Sequence, residues 1–110
     1  MAIAKLNTRA GAIPGYHYSE TISTGATGDD VVIPPLAPGK EPTCTIVAGA
    51  NTGYFEFTTD SDAAVEAGTA TWVTWALGTS TGTVSDTIEG TVTGLRGVSV
   101  SGEIRITIAI

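Results

Sequence analysis

Glu103-Ile-Arg-Ile-Thr-Ile-Ala-Ile110 decides the fold. Isoleucine stands at 104, 106, 108 and 110, with Arg, Thr and Ala between. Successive side chains of a strand point to opposite faces, so the four isoleucines share one face. One apolar face and one polar face make a half-buried antiparallel strand. The nearest partner in sequence is Leu95–Val100. Register follows the buried face. A three-residue turn at Ser101-Gly102-Glu103 pairs Val100 with Ile104 and Val98 with Ile106, so that hairpin is expected. Gly102 suits the turn, and Gly97 is a candidate bulge.

Toward the N-terminus the period of two recurs. From Tyr16, Tyr18, Glu20 and Ile22 share a face. Asp29–Ile33 reads as a short strand stopped by Pro34-Pro35, and Pro34–Pro42 as a loop. Thr43–Ala48 puts Cys44, Ile46 and Ala48 together; Gly49–Gly53 reads as a turn; Tyr54–Thr59 puts Phe55 with Phe57. Asp60–Gly68 alone has helical character, with Asp60 or Ser61 as cap and Gly68 as stop. Thr71–Leu77 alternates again, which points Val73, Trp75 and Leu77 to the core and Trp72 outward. Gly78–Thr83 reads as a flexible loop and Val84–Val92 as a weak strand. The expectation is an all-β fold: an antiparallel β-sandwich or jelly roll of about seven to eight short strands. Residues 1–15 read as an N-terminal arm and 16–110 as the β-sandwich domain.

Composition narrows the function. The chain has 110 residues, 42% apolar and 15% charged, and threonine is its commonest residue. One Cys excludes an intrachain disulfide. A net charge of -6 argues against a protein that neutralises phosphates, so no nucleic-acid partner is expected. No apolar run spans a membrane, and Lys5 and Arg9 interrupt any leader-like stretch. Synthesis in a cytoplasm without export is therefore expected.

Chemistry-bearing motifs are sparse. His17 and Cys44 are the only soft ligands, so no zinc site and no cofactor are expected. Asp29-Asp30 reads as a solvated turn, and Asp60-Ser-Asp62 as helix capping rather than a calcium loop. An outward Trp72 suits loop cover, a subunit contact or a stacked sugar. No nucleophile elbow, phosphate loop or dinucleotide fingerprint is present. A non-enzymatic role is expected.

The tail Asp86-Thr-Ile-Glu-Gly-Thr-Val-Thr-Gly-Leu-Arg-Gly-Val-Ser-Val-Ser-Gly-Glu-Ile-Arg-Ile-Thr-Ile108 is similar to the C-terminal ends of small virion proteins of tailed bacteriophages. Ala67-Gly-Thr-Ala-Thr-Trp-Val-Thr-Trp75 fits the same pattern, with Gly68 and Trp72 in place. The resemblance covers roughly residues 60–110. It implies a β-sandwich or jelly-roll structural protein, of which capsid decoration (cement) proteins are the small representatives. The implied partners are the major capsid protein and further copies of the chain, as dimer or trimer. The implied location is the capsid surface of the virion. Partner-binding residues expected on this reading are Ile3, Lys5, Leu6 and Arg9 of the arm, Pro34, Pro35 and Lys40 of the loop, and Trp72. The alternative is a tail or adaptor component, or a host-glycan binder using Trp72.

Overall fold

The computed structural model describes residues 3–5, 7–9, 15–34, 40–75, 78–89 and 92–110, with the backbone alone for Lys5 and for 7–9. Among the described residues the chain is all-β apart from one short helix. The elements are β1 (Ile3–Lys5), β2 (Asn7–Arg9), β3 (Gly15–Ile22), β4 (Asp30–Val32), β5 (Thr43–Thr58), α1 (Asp62–Ala67), β6 (Val73–Thr74), β7 (Ser80–Thr87), β8 (Gly94–Ser101) and β9 (Ile104–Ala109).

All nine described strands belong to one sheet, in the order β1-β4-β8-β5-β9-β3-β2, with β6 and β7 also paired to β5. The all-β class is as expected, and the strands form one sheet curled into a half-barrel. The spine is β5. The expected turn at Gly49–Gly53 is not a chain reversal, for β5 runs on through it as a strand of 16 residues.

The expected hairpin is likewise absent: among the described residues β8 and β9 do not pair. They run end to end, both antiparallel to β5. β8 lies against its second half (Thr52 opposite Ser101, Thr58 opposite Gly94), and β9 against its first half (Thr43 opposite Ala109, Val47 opposite Arg105). The reason lies in which face of β8 is buried. Leu95, Gly97 and Ser99 point inward, while Val100 is 51% exposed. A Cβ on Gly97 would stand 2.7 Å from Ile22 Cδ1 and 3.0 Å from Ile106 Cδ1. The curl brings isoleucines of β3 and β9 onto the bare backbone of Gly97, so β8 must turn its glycine inward, not its valines.

At the bend, four residues of β5 (Ala48–Asn51) face three of the partner line (Gly102–Ile104). Asn51 Nδ2 donates to the Glu103 carbonyl at 2.9 Å, and Ser99 Oγ to the Gly102 carbonyl at 2.5 Å. Gly102 has φ of +67°, a conformation that a Cβ disfavours.

Inside the curl, Ile22, Cys44, Ile46, Phe55, Leu95, Ile104, Ile106 and Ile108 form one buried cluster with Val31 and Ile33. The faces read from the period of β3, β5 and β9 are those observed. The arm residues 3–5 and 7–9 are strands on their own chain: β1 pairs parallel with β4 and β2 antiparallel with β3.

Overpacking a filled interior costs about 1–3 kcal/mol. Gly97→Ala is therefore expected to lower the unfolding free energy by about 2 kcal/mol in urea titration. Val100→Ala is expected to change it by no more than about 0.5 kcal/mol. Equal effects would refute the inward assignment of Gly97.

Candidate functional site

Three features are candidates for chemistry, and each follows from where the curl places its strands. The first lies on the outer face of β4, β8 and β5. Residues 59–72 leave the sheet and fold back over this face. Ser61 Oγ caps α1 by accepting from the Ala64 N–H at 3.2 Å, and Gly68 ends it in the left-handed region. Asp60 Oδ2 accepts from the Thr71 N–H at 2.6 Å and closes the excursion. Asp60 and Ser61 thus serve the backbone. The excursion lays Val65 and Trp72 over Gly94, beside which Thr58 also packs.

Beneath it lies an ionic group. Asp30 is fully buried, not in a solvated turn as expected. Its Oδ1 is 3.4 Å from Arg96 Nη1, and its Oδ2 has no hydrogen-bond partner. Arg96 Nε donates to Glu56 Oε1 at 2.7 Å. The guanidinium lies 4.3 Å from the Trp72 ring centroid, a cation–π contact. Trp72 points away from the inside of the curl, as its parity required, but it is covered and engaged. Burial pushes the Asp30 carboxyl above its ordinary range, and Arg96 pulls it partly back.

The second feature is Tyr18 with Glu20 and Asp29. The Tyr18 hydroxyl lies 3.2 Å from Glu20 Oε1 and 3.3 Å from Asp29 Oδ2. The Asp29 N–H donates to both Glu20 oxygens, at 3.1 and 3.2 Å. Burial raises the Glu20 carboxyl, against the pull of that backbone N–H. Burial also raises the Tyr18 phenol, reinforced by the two neighbouring carboxylates. A phenol held protonated beside two acids is a structural clasp between β3 and the segment leading into β4.

The third is a groove of about 680 Å³ at the mouth of the half-barrel. Phe57, Val73, Trp75, Ile88 and Val92 supply its apolar lining, and Asp86 and Glu89 its acids. It forms because β6 and the end of β7 lie on one edge of β5, at opposite ends of the bend. The curl brings those ends toward each other. Trp75 meets Phe55 edge-on at 6.2 Å and so joins the core as expected. Val73, expected inside, is 50% exposed. Its strand is only two residues long and sits at the open lip. Of the expected flexible loop at Gly78–Thr83, residues from Ser80 onward are the start of β7, with Ser80 opposite Gly53 and Thr81 opposite Thr52.

Cys44 is buried, and its thiol is pushed up to about 12 by desolvation and by Asp86, which makes it inert as a nucleophile. No cluster of three or more His, Cys, Asp or Glu suited to a metal occurs among the described residues. No helix among them is long and apolar enough to cross a membrane.

The residues read as partner-binding are dispersed. Ile3 (37% exposed) and Lys5 lie on β1 and Arg9 on β2, the two strands at opposite ends of the sheet order. Pro34 follows β4 half-buried, and Lys40 is exposed ahead of β5. Trp72 packs on Arg96. Leu6 and Pro35 lie outside the described residues. Those whose side chains are described, Ile3, Pro34, Lys40 and Trp72, do not line the groove. The groove and the Asp30–Arg96–Glu56 group escaped sequence reading because each joins residues far apart in the chain. The one available signal was an acid pair, Asp29-Asp30, abutting an apolar strand.

Comparison with protein-family models, curated proteins and solved structures finds no match.

A carboxyl whose native pKa is raised keeps its proton longer in the fold than in the unfolded chain. Its stabilising contribution is complete below the unfolded value of about 4 and is lost as pH rises through the higher native value. Asp30 and Glu20 are both raised. The melting temperature is thus expected to be higher at about pH 5 than at about pH 8. Asp30→Asn and Glu20→Gln are each expected to flatten that slope. A slope unchanged in both variants would place its origin elsewhere.

Proposed function

We propose that this chain is a non-enzymatic virion protein of a tailed bacteriophage, a capsid decoration protein that binds the outer capsid and stabilises contacts between major capsid subunits. The reading is carried by the likeness of residues 67–75 and 86–108 to small phage virion proteins. Those residues supply the Trp72 cover, the end of β7, the whole of β8 and most of β9.

Physical chemistry supports the role. A decoration protein must be stiff, small and unattractive to the packaged genome. β-branched strands closed over one core supply stiffness. A net charge of -6 keeps the protein from the phosphate backbone. Gripping the capsid then depends on several weak contacts repeated over a lattice, which add through effective concentration. Sheet edges suit such contacts because an added strand gains main-chain hydrogen bonds without needing a deep pocket.

Heads and tails of the phage that encodes the chain provide the test. The purified protein is expected to sediment with DNA-filled heads depleted of it, and to raise the temperature at which they rupture. It is expected not to sediment with tails. Binding to tails alone would move the chain to a tail or adaptor role. Retention on a glycan array that Trp72→Ala abolishes would make it a host-glycan binder.

A further inference from the structure

We propose that the groove between β6 and β7 is a binding site for an extended segment of a partner protein, which adds to the outer edge of β7 as a strand and sets a lysine or arginine against Asp86 and Glu89. The proposal goes beyond the preceding reading and does not rest on it.

The edge supplies the main-chain part. β5 holds β7 along one side, and among the described residues no strand pairs with the other. The strand carries no proline or lysine to discourage pairing. Its regular part, Thr83–Thr87, faces Val47–Thr43 of β5. β6, across the groove, is two residues long, and among the described residues it too pairs only with β5. The half-barrel is thus open along this seam. An incoming strand there gains hydrogen bonds from unpaired N–H and C=O groups.

The two faces of β7 then set the side chains. On the outward face, the Ser85 and Thr87 hydroxyls lie 2.9 and 3.4 Å from those of Thr45 and Thr43 across the inner edge. Hydroxyls at alternate positions of an incoming strand repeat that pairing on the outer edge. On the inward face, Val84 stands opposite Ile46 and Asp86 opposite the buried Cys44, and Ile88 follows, buried. Side chains of the incoming strand that face Val84 and Ile88 meet the apolar lining, and the one between them faces Asp86.

Charge selects that middle residue. Asp86 and Glu89 are exposed at the groove, and no described base lines it. One Asp86 oxygen accepts from the Thr87 N–H at 2.7 Å; the other, and both of Glu89, have no partner among the described residues. A neutral strand laid over these carboxylates would take water from them and return nothing. An acidic strand would be repelled by them, in a molecule already at -6. The accepted pattern is therefore apolar, hydroxyl, base, hydroxyl, apolar. The chain itself lacks it: none of its five bases has an aliphatic or aromatic residue two positions away on both sides. A second copy is thus not the occupant, and a partner protein is.

Fluorescence reads the groove, because Trp75 lines it and Trp72→Phe leaves Trp75 the only tryptophan. The probe is the acetylated, amidated peptide Thr-Val-Thr-Lys-Thr-Val-Thr. It is expected to shift Trp75 emission saturably and to slow hydrogen exchange at alternate amides of β7. Glu in place of its Lys is expected to weaken binding about fivefold or more, and so is Asp86→Asn with Glu89→Gln in the protein. No saturable shift, equal binding of the Lys and Glu peptides, equal binding to the neutralised variant, or an emission shift without slowed exchange in β7 would each overturn the proposal. Butylamine binding as tightly as the Lys peptide would also overturn it, as the mark of a site for free amines. So would light scattering that shows a paired chain which the peptide does not separate, for the edge would then belong to a second copy.

Discussion

A bend shared by two neighbouring strands governs this architecture. An extended strand of 16 residues would reach roughly 53 Å. The longest extent of the molecule is 36 Å. β5 therefore has to turn while keeping its ladders, and the line formed by β8 and β9 turns with it. The mismatch of residues at Ala48–Asn51 and Gly102–Ile104 supplies the turn, and the Asn51 and Ser99 side chains satisfy carbonyls that the interrupted ladder leaves over. Once both lines bend together, the isoleucines of β9 and β3 close over Leu95 and Gly97. Chain folding, core and groove all follow from that closure.

Local pattern and distant pairing explain what was legible in the sequence. The alternation at Ile104–Ile110, the buried set Cys44, Ile46 and Ala48, the inward Ile22 and the Ser61-capped helix depend only on near neighbours, and each was readable. The partner of β9 was not. A hairpin through Ser101-Gly102-Glu103 satisfies the same alternation as a straight run along β5. The choice turned on whether Val98 and Val100 or Leu95 and Gly97 faced inward. A glycine between Arg96 and Val98 looks like a bulge until two isoleucines from other strands need its space. The same limit hid the candidate site. Asp86 and Val73 meet only because the sheet curls, and nothing local to either residue announces it.

The outer layer shows how one buried charge is accommodated. Taking Asp30 out of water costs several kcal/mol before any pairing. Arg96 offsets part of this, and its closer contact is with Glu56. One Asp30 oxygen is left without a partner. A pair so arranged contributes more to the choice of register than to stability: slipping β4 along β8 by one residue would move Asp30 into the apolar interior and Val31 out of it. The indole of Trp72 over the guanidinium then excludes water from the group. An aromatic residue spent in this way has little surface to offer a ligand.

The remaining outward face explains the threonine-rich composition. Ser19, Thr107, Thr45 and Ser85 form one row across four strands. Thr45 and Ser85 hydroxyls are 2.9 Å apart, and Thr43 pairs similarly with Thr87. Hydroxyls that satisfy one another across strands leave a flat face with few unmet bonds and little apolar area. Such a face resists unspecific adhesion but offers a partner no anchor of the kind that dominates binding energy. The unpaired backbone groups of the molecule lie instead at its borders, where the groove also opens.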